Sequence, residues 1–253
     1  MNRSVYIILS AVLILLFCGF LYDQFGRTDA VPEISQAEKT SVKNGSVRTL
    51  DNFGKLKTEV NYRNGVKHGI SYLYYPDGET IQLEIPYRNG KRQGVSKKYF
   101  RTGKLYAETS YEDNKIHGIR KIYYRKGQLK AEVPYGLGFP GIGLKEYLAD
   151  GDLKEMPRIT YFQKSNLLYF ETSQSCTDTK FYIGSLIEGR FLDELSDTIR
   201  MLPEIDNQYV ADLNIFTPSF LKYQDIICSC KTTQGNLLIL RESIDTSSLK
   251  KVN

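Results

Sequence analysis

Tyr62-Arg-Asn-Gly-Val-Lys-His-Gly69, Tyr87-Arg-Asn-Gly-Lys-Arg-Gln-Gly94 and Tyr111-Glu-Asp-Asn-Lys-Ile-His-Gly118 are three renderings of one phrase, Tyr–x–Asn–Gly–x–x–x–Gly. The tyrosine alone recurs at Tyr135. A second glycine series, Gly54, Gly78, Gly103, Gly127 and Gly151, keeps the same beat of 24 or 25 residues. A period of that length marks stacked supersecondary units, each too small to bury its own apolar face. Such an array presents a long surface rather than a pocket.

The punctuation divides each unit into two strands. Asn64-Gly65, Asn89-Gly90 and Asp113-Asn114 accept the positive φ of a tight hairpin turn. Pro76-Asp77-Gly78, Arg101-Thr102-Gly103, Lys126-Gly127 and Asp150-Gly151 form the second turn set. The segments between them are too short for helices and alternate in polarity. Leu105, Ala107, Thr109 and Tyr111 share a face and Glu108 lies opposite; Leu129, Ala131, Val133 and Tyr135 oppose Glu132 in the same way. Three rows follow across the sheet: Glu59, Glu84, Glu108 and Glu132; Tyr74, Tyr99, Tyr123 and Tyr147; and Tyr62, Tyr87, Tyr111 and Tyr135. Rows of this kind stabilise neighbouring strands. Lys57, Lys130 and their neighbours are the expected counter-charges of the glutamates. Pro86 and Pro134 cannot donate to a ladder, which predicts a bulge or a strand end there.

The phrase, followed by an aromatic pair and x–x–Gly–x–Leu, resembles the MORN-repeat variant of bacterial proteins, often labelled YwqK-type antitoxins. The resemblance covers residues 50–156, about four units. The fourth departs from it, because Tyr135-Gly-Leu-Gly-Phe-Pro-Gly-Ile-Gly143 loses the Asn-Gly and adds glycines, as a distorted end unit would. The resemblance implies an elongated sheet of hairpins that contacts proteins or membrane lipids. The antitoxin label is family naming, and no residue here demonstrates neutralisation of a toxin.

Val5 to Tyr22 is a run of 18 uncharged residues. As a helix it spans about 27 Å, close to the hydrocarbon thickness of a bilayer. It ends in Phe-Leu-Tyr-Asp-Gln-Phe25 without a small-x-small cleavage pattern, so an uncleaved anchor at residues 1–22 is expected. A lipoprotein acylated at Cys18 is the alternative, with the bulky Phe17 against it. Residues 23–45 are polar and aperiodic and read as a flexible linker. The short head of the chain favours a single-pass membrane protein with its bulk outside the cytoplasm.

The repeat sheet is assigned to residues 46–156 and a small β-rich domain with one helix to 157–253. Phe181–Ile187 reads as a strand; Phe191, Leu192, Leu195, Ile199 and Leu202 lie at helical spacing; Gln224–Thr232 and Leu237–Arg241 read as a hairpin. The polar tail 246–253 is expected to fray. The predicted fold class is thus mainly β, an antiparallel meander of about four stacked hairpins, with an N-terminal transmembrane helix and this C-terminal domain.

Composition points away from catalysis. The chain has 19 Tyr and 12 Phe but no Trp and 2 His, with a net charge of +5. His68 and His117 share one repeat position and read as structural residues near a turn. No nucleophile-elbow, zincin or phosphate-loop pattern is present, and neither a cofactor nor a metal is expected. Cys176 could bridge to Cys228 or Cys230 outside a reducing compartment, although Cys228-Ser-Cys230 alone does not make a zinc site. Arg88, Lys91, Arg92, Lys97, Lys98, Arg101 and Lys104 form a basic stretch that no acidic residue interrupts. With Tyr74, Tyr99 and Tyr123 they are the candidate binding residues, for a protein partner or anionic lipid, and not for nucleic acid. The expected function is a non-catalytic scaffold or binding module of the cell envelope, the alternative an immunity-type inhibitor that covers a toxin enzyme.

Overall fold

The computed structural model describes residues 44–217, 221, 224–244 and 249. The anchor expected over Val5–Tyr22, Cys18 and most of the linker and tail lie outside the described residues. Among the described residues no helix is long and apolar enough to cross a membrane.

The architecture is mainly β, and its largest element is a 13-stranded antiparallel sheet. Its main strands are β1 (Asn44–Leu50), β2 (Leu56–Arg63), β3 (Gly69–Tyr74), β4 (Ile81–Arg88), β5 (Gly94–Tyr99), β6 (Leu105–Glu112), β7 (Gly118–Tyr123) and β8 (Leu129–Gly136), neighbours in space in that order. The meander follows from the two turn types. At Asn64-Gly65 both residues hold positive φ, 51° and 76°, which suits the right-handed twist of the paired strands. Past that turn the returning chain bends before it resumes as a strand. The bend falls on Gly69, Gly94 and Gly118, at φ of 84°, 99° and 89°, which explains the last glycine of the phrase.

Asn44 and Gly45, assigned by composition to the linker, already belong to β1. Pro86 and Pro134 sit inside β4 and β8, paired with Ile70 and Ile119, rather than at a bulge or a strand end. The reason lies in the bend of the next strand. The carbonyl of Pro86 accepts from the Gln93 amide at 3.0 Å, and that of Pro134 from Gly141 at 3.0 Å, so only the carbonyl is used there. The bulges fall at the other end of the units, between Leu73 and Tyr74, Lys98 and Tyr99, and Ile122 and Tyr123.

The fourth unit keeps its hairpin without Asn-Gly. Leu137 and Gly138 make the turn at φ of 53° and 94°, and Lys145–Glu146 returns beside β8. The extra glycines have a packing reason. A Cβ on Gly136 would lie 2.6 Å from the Phe191 ring, and one on Gly141 2.8 Å from it. Phe191 therefore seats on the end of the repeat array, held by backbone bonds from Ile142 to Arg190 and from Leu192 to Pro140, both 2.9 Å.

Beyond residue 156 two four-stranded sheets follow. One contains Ile159–Lys164, Leu167–Thr172, Gln208–Asp212 and Glu204–Ile205; the other contains Ile199–Met201, Thr177–Gly184, Asp225–Lys231 and Leu237–Ser243. Their core is continuous with the last repeats. Ala107, Ile122, Ala131 and Val133 pack in one cluster with Leu168, Phe170, Phe181, Ile226 and Cys228. The helix expected from Phe191 to Leu202 does not form. Asp193 closes a turn there, its carboxylate accepting from the Leu195 amide at 3.0 Å, and Leu195 is 89% exposed. A helix would have buried Leu195; the observed turns instead lead into the strand Ile199–Met201.

Candidate functional site

Alternation along each strand sends one set of side chains inward and the other onto an open face. The inward set includes Thr58, Val60, Leu83, Ile85, Ala107, Thr109, Ala131 and Val133, all buried. On the opposite face the register aligns a row of charge. Arg48 faces Glu59, Glu59 faces Tyr72 and Tyr72 faces Glu84. Glu84 faces Lys97, Lys97 faces Glu108, and Glu108 faces Lys121. Lys121 faces Glu132, and Glu132 faces Lys145. Carboxylates thus alternate with cations, interrupted only by Tyr72. Opposite charges placed directly across from one another stabilise such a sheet.

The counter-charges are not the ones expected. Lys130 leans over the Tyr124 ring, 5.7 Å from its centroid, and the row is completed instead by Arg48, Lys97, Lys121 and Lys145. Arg48 Nε meets Glu59 Oε2 at 3.0 Å, and Lys145 Nζ meets Glu132 Oε2 at 4.0 Å.

Two residues further along each returning strand, on the same face, stand Tyr74, Tyr99, Tyr123 and Tyr147. The structure brings these tyrosines together as a row. Tyr123 Oη donates to Glu108 Oε2 at 2.8 Å, Tyr147 Oη donates to Glu132 Oε2 at 3.0 Å, and Tyr99 donates likewise to Glu84. Partial burial, followed by the hydrogen bond to the carboxylate, pushes the Tyr99 and Tyr123 phenols up to about 12. Burial and then the charge of Glu59 raise Tyr74. These hydroxyls stay protonated donors at any physiological pH. Across the charged row lies an apolar row. Ile70, Val95 and Ile119 occupy one repeat position and are 44%, 47% and 44% exposed.

The basic stretch does not form one patch. Arg88, Lys91 and Arg92 cluster at the Asn-Gly end of the sheet, and Arg101 and Lys104 at the opposite end, about 20 Å away along a six-residue strand. Lys97 and Lys98 are consecutive in β5 and face opposite sides. Most of these cations have local partners. Lys91 pairs with Asp113 at 3.3 Å, and Arg92 stacks on Tyr111 at 4.4 Å and donates to the Asn114 carbonyl at 3.2 Å. Lys98 lies over Tyr106 and Arg101 over Tyr75, at 5.7 and 5.9 Å.

The apolar row and Lys121 and Lys145 escaped the sequence reading, though both carried a signal. Lys97, Lys121 and Lys145 recur every 24 residues, and a branched residue follows each bending glycine, as Ile70, Val95 and Ile119.

The backbone amides of His68 and His117 donate to the Asn61 and Ser110 carbonyls at 2.9 and 3.0 Å, the same contact in two units. The three described thiols are free. Burial and then the neighbouring Cys230 thiol push the Cys176 thiol up to about 12. Cys176 borders an open depression of about 540 Å³ lined also by Phe170, Thr179 and Tyr209. With its pKa raised, that thiol is not an activated nucleophile. Among the described residues no group of three or more His, Cys, Asp or Glu is placed to hold a metal ion.

Residues 92–113 and 116–136 match the family model described as the MORN repeat variant. The two matches fall on the turn and strands from Arg92 through β8, and take in Tyr99 and Tyr123 of the tyrosine row. No curated protein matches the chain. Repeats of this family are in general binding modules, often for protein or membrane lipid.

Proposed function

We propose that this protein is a non-catalytic binding module that holds a protein partner on the open face of its repeat sheet. The observation that carries the reading is the composition of that face: exposed Ile70, Val95 and Ile119, a charge-alternating centre, and a flanking row of tyrosine donors. An apolar strip beside a register of alternating charges suits a protein surface better than a lipid headgroup layer, because interfaces set apolar contact within a complementary polar surround. Anionic lipid would need concentrated, unpaired positive charge. The basic stretch does not concentrate its charge, since its members divide between two ends and two faces. The uncharged run Val5–Tyr22 supports the finer reading of an anchored scaffold of the cell envelope. Tyrosine suits the role because it brings a large apolar ring and a polar tip at low entropic cost.

The test pairs two measurements. Val95→Asp with Ile119→Asp should abolish capture of a cross-linked partner while leaving thermal stability intact, since both sites are exposed. Flotation with vesicles rich in anionic lipid should be weak, and unchanged by Lys97→Glu with Lys98→Glu. Strong flotation lost in that charge-reversed variant would replace the protein reading with the lipid one.

A further inference from the structure

The first strand of the sheet is half of a repeat. Gly45 pairs with Tyr62 in β1–β2 just as Gly69 pairs with Tyr87, Gly94 with Tyr111 and Gly118 with Tyr135. β1 therefore occupies the place of a returning strand, like β3, β5 and β7. Each of those has the first strand of its own hairpin on its other side. Among the described residues β1 is paired on one side only.

The missing neighbour has a definable chemistry. In every complete unit the first strand sets a glutamate against the returning strand: Glu59 against Tyr72, Glu84 against Lys97, Glu108 against Lys121, Glu132 against Lys145. The next residue pair on the inward face is Thr58–Leu73, Leu83–Lys98, Ala107–Ile122 or Ala131–Glu146. Lys97 and Lys121 each stand between two carboxylates. Arg48, their counterpart in β1, faces Glu59 alone among the described residues, and its side chain is 67% exposed.

Upstream of β1 the sequence carries neither the glutamate nor the tyrosine of a complete unit. Thirteen residues separate each glutamate from its partner, as Glu84 from Lys97, and the same count back from Arg48 reaches Ser35. The turn position of that unit is Thr40-Ser41, with no Asn-Gly, and Glu38 stands where the tyrosine would be. A second copy fits no better. β1 (Asn-Gly-Ser-Val-Arg-Thr-Leu) holds no carboxylate, so edge-to-edge pairing of two copies would bring Arg48 towards its own equivalent.

We propose that the open edge of β1 accepts an extended acidic segment of a partner protein as an additional antiparallel strand. Its carboxylate lies opposite Arg48 and a small or branched residue lies opposite Thr49. Strand addition of this kind takes affinity from main-chain hydrogen bonds and specificity from alternate side chains. The site is separate from the open face of the sheet and stands whether or not that face binds a protein.

The test uses the full chain and a labelled peptide with the sequence of residues 105–112, Leu-Tyr-Ala-Glu-Thr-Ser-Tyr-Glu, the first strand of a complete unit. Fluorescence anisotropy should show saturable binding. Arg48→Glu should weaken it about tenfold, and a peptide with lysine in place of its first glutamate should recover binding to Arg48→Glu alone. The thermal melt of Arg48→Glu, measured alongside, confirms that the variant is folded. No saturation below about 1 mM peptide overturns the proposal. So does equal binding to Arg48→Glu, or a dimer of the chain that the peptide dissociates.

Discussion

Tyr75 donates its hydroxyl to the backbone carbonyl of Tyr99 at 2.7 Å, one repeat further on, and Tyr124 does the same to Tyr147 at 2.8 Å. These bonds tie two of the units to the next at the end of the sheet opposite the Asn-Gly turns. At the same position in the unit between them stands Phe100, which packs on Tyr106 with centroids 5.0 Å apart and has no hydroxyl to offer. Tyr75→Phe and Tyr124→Phe should each cost about 1 kcal/mol, the net worth of one hydrogen bond. Phe100→Tyr should add a comparable amount by reaching the Tyr123 carbonyl. Urea unfolding of the three variants checks the pattern; a destabilised Phe100→Tyr would show that the repeats are not equivalent here.

Glu146 occupies the inward position that Ile122 fills one unit earlier, and it is fully buried. It survives there because it is saturated. Lys154 Nζ meets Oε2 at 3.0 Å, Asn236 Nδ2 donates to Oε1 at 2.7 Å, and the Thr232 hydroxyl donates to Oε1 as well. The cluster clamps the last repeat onto the hairpin loop of the C-terminal region. Glu146→Leu leaves Lys154 and Asn236 without their acceptor and should destabilise the protein by about 3 kcal/mol or more. Adding Lys154→Met should recover part of that loss. A cost below about 1 kcal/mol for Glu146→Leu would mean that water replaces the carboxylate without penalty.

Gly136 does not hold a positive φ, so what an alanine there meets first is the Phe191 ring, 2.6 Å from its Cβ. Gly136→Ala should cost about 1–3 kcal/mol, the usual range for overpacking a filled site. Phe191→Ala in the same chain should relieve the clash, making the pair of substitutions less harmful than their sum. Strictly additive losses in thermal unfolding would place Phe191 elsewhere.

Most of the repeat sheet was legible because hairpin turns and strand alternation are local. Asn64-Gly65 needs its positive φ whatever surrounds it, and the period carried that reading from unit to unit. What failed depended on contacts distant in sequence. Lys97 and Lys98 read as one basic run, yet consecutive strand residues face opposite sides, and Lys97 belongs with Glu84 and Glu108 across the sheet. Phe191 to Leu202 mimicked a helix because helical spacing does not tell whether a partner face exists. The glycines of the fourth unit looked like decay, and their cause, the ring of Phe191, lies more than 50 residues downstream of Gly136.

The tyrosine row gives the sheet an alkaline limit. Tyr99 and Tyr123 hold their protons up to about 12 in the folded state against an ordinary 10. A phenol with a raised folded-state pKa contributes stability that is complete below the ordinary value and lost as pH rises through the folded one. Stability should therefore fall between about pH 10 and pH 12. Tyr99→Phe with Tyr123→Phe should flatten that fall and shrink the late-titrating class in the tyrosinate absorbance, where Tyr182 remains because burial raises its phenol as well. An unchanged slope would assign the alkaline transition to other groups.

Site-specific photo-crosslinking in living cells tests the binding face most directly. A benzoyl-phenylalanine at position 95 or 119, in the exposed apolar row, should give a discrete adduct with one protein. The same group at exposed Lys126, in a turn at the sheet's end, should give none. Absence of adducts from the face, or equal adducts from Lys126, would contradict the account.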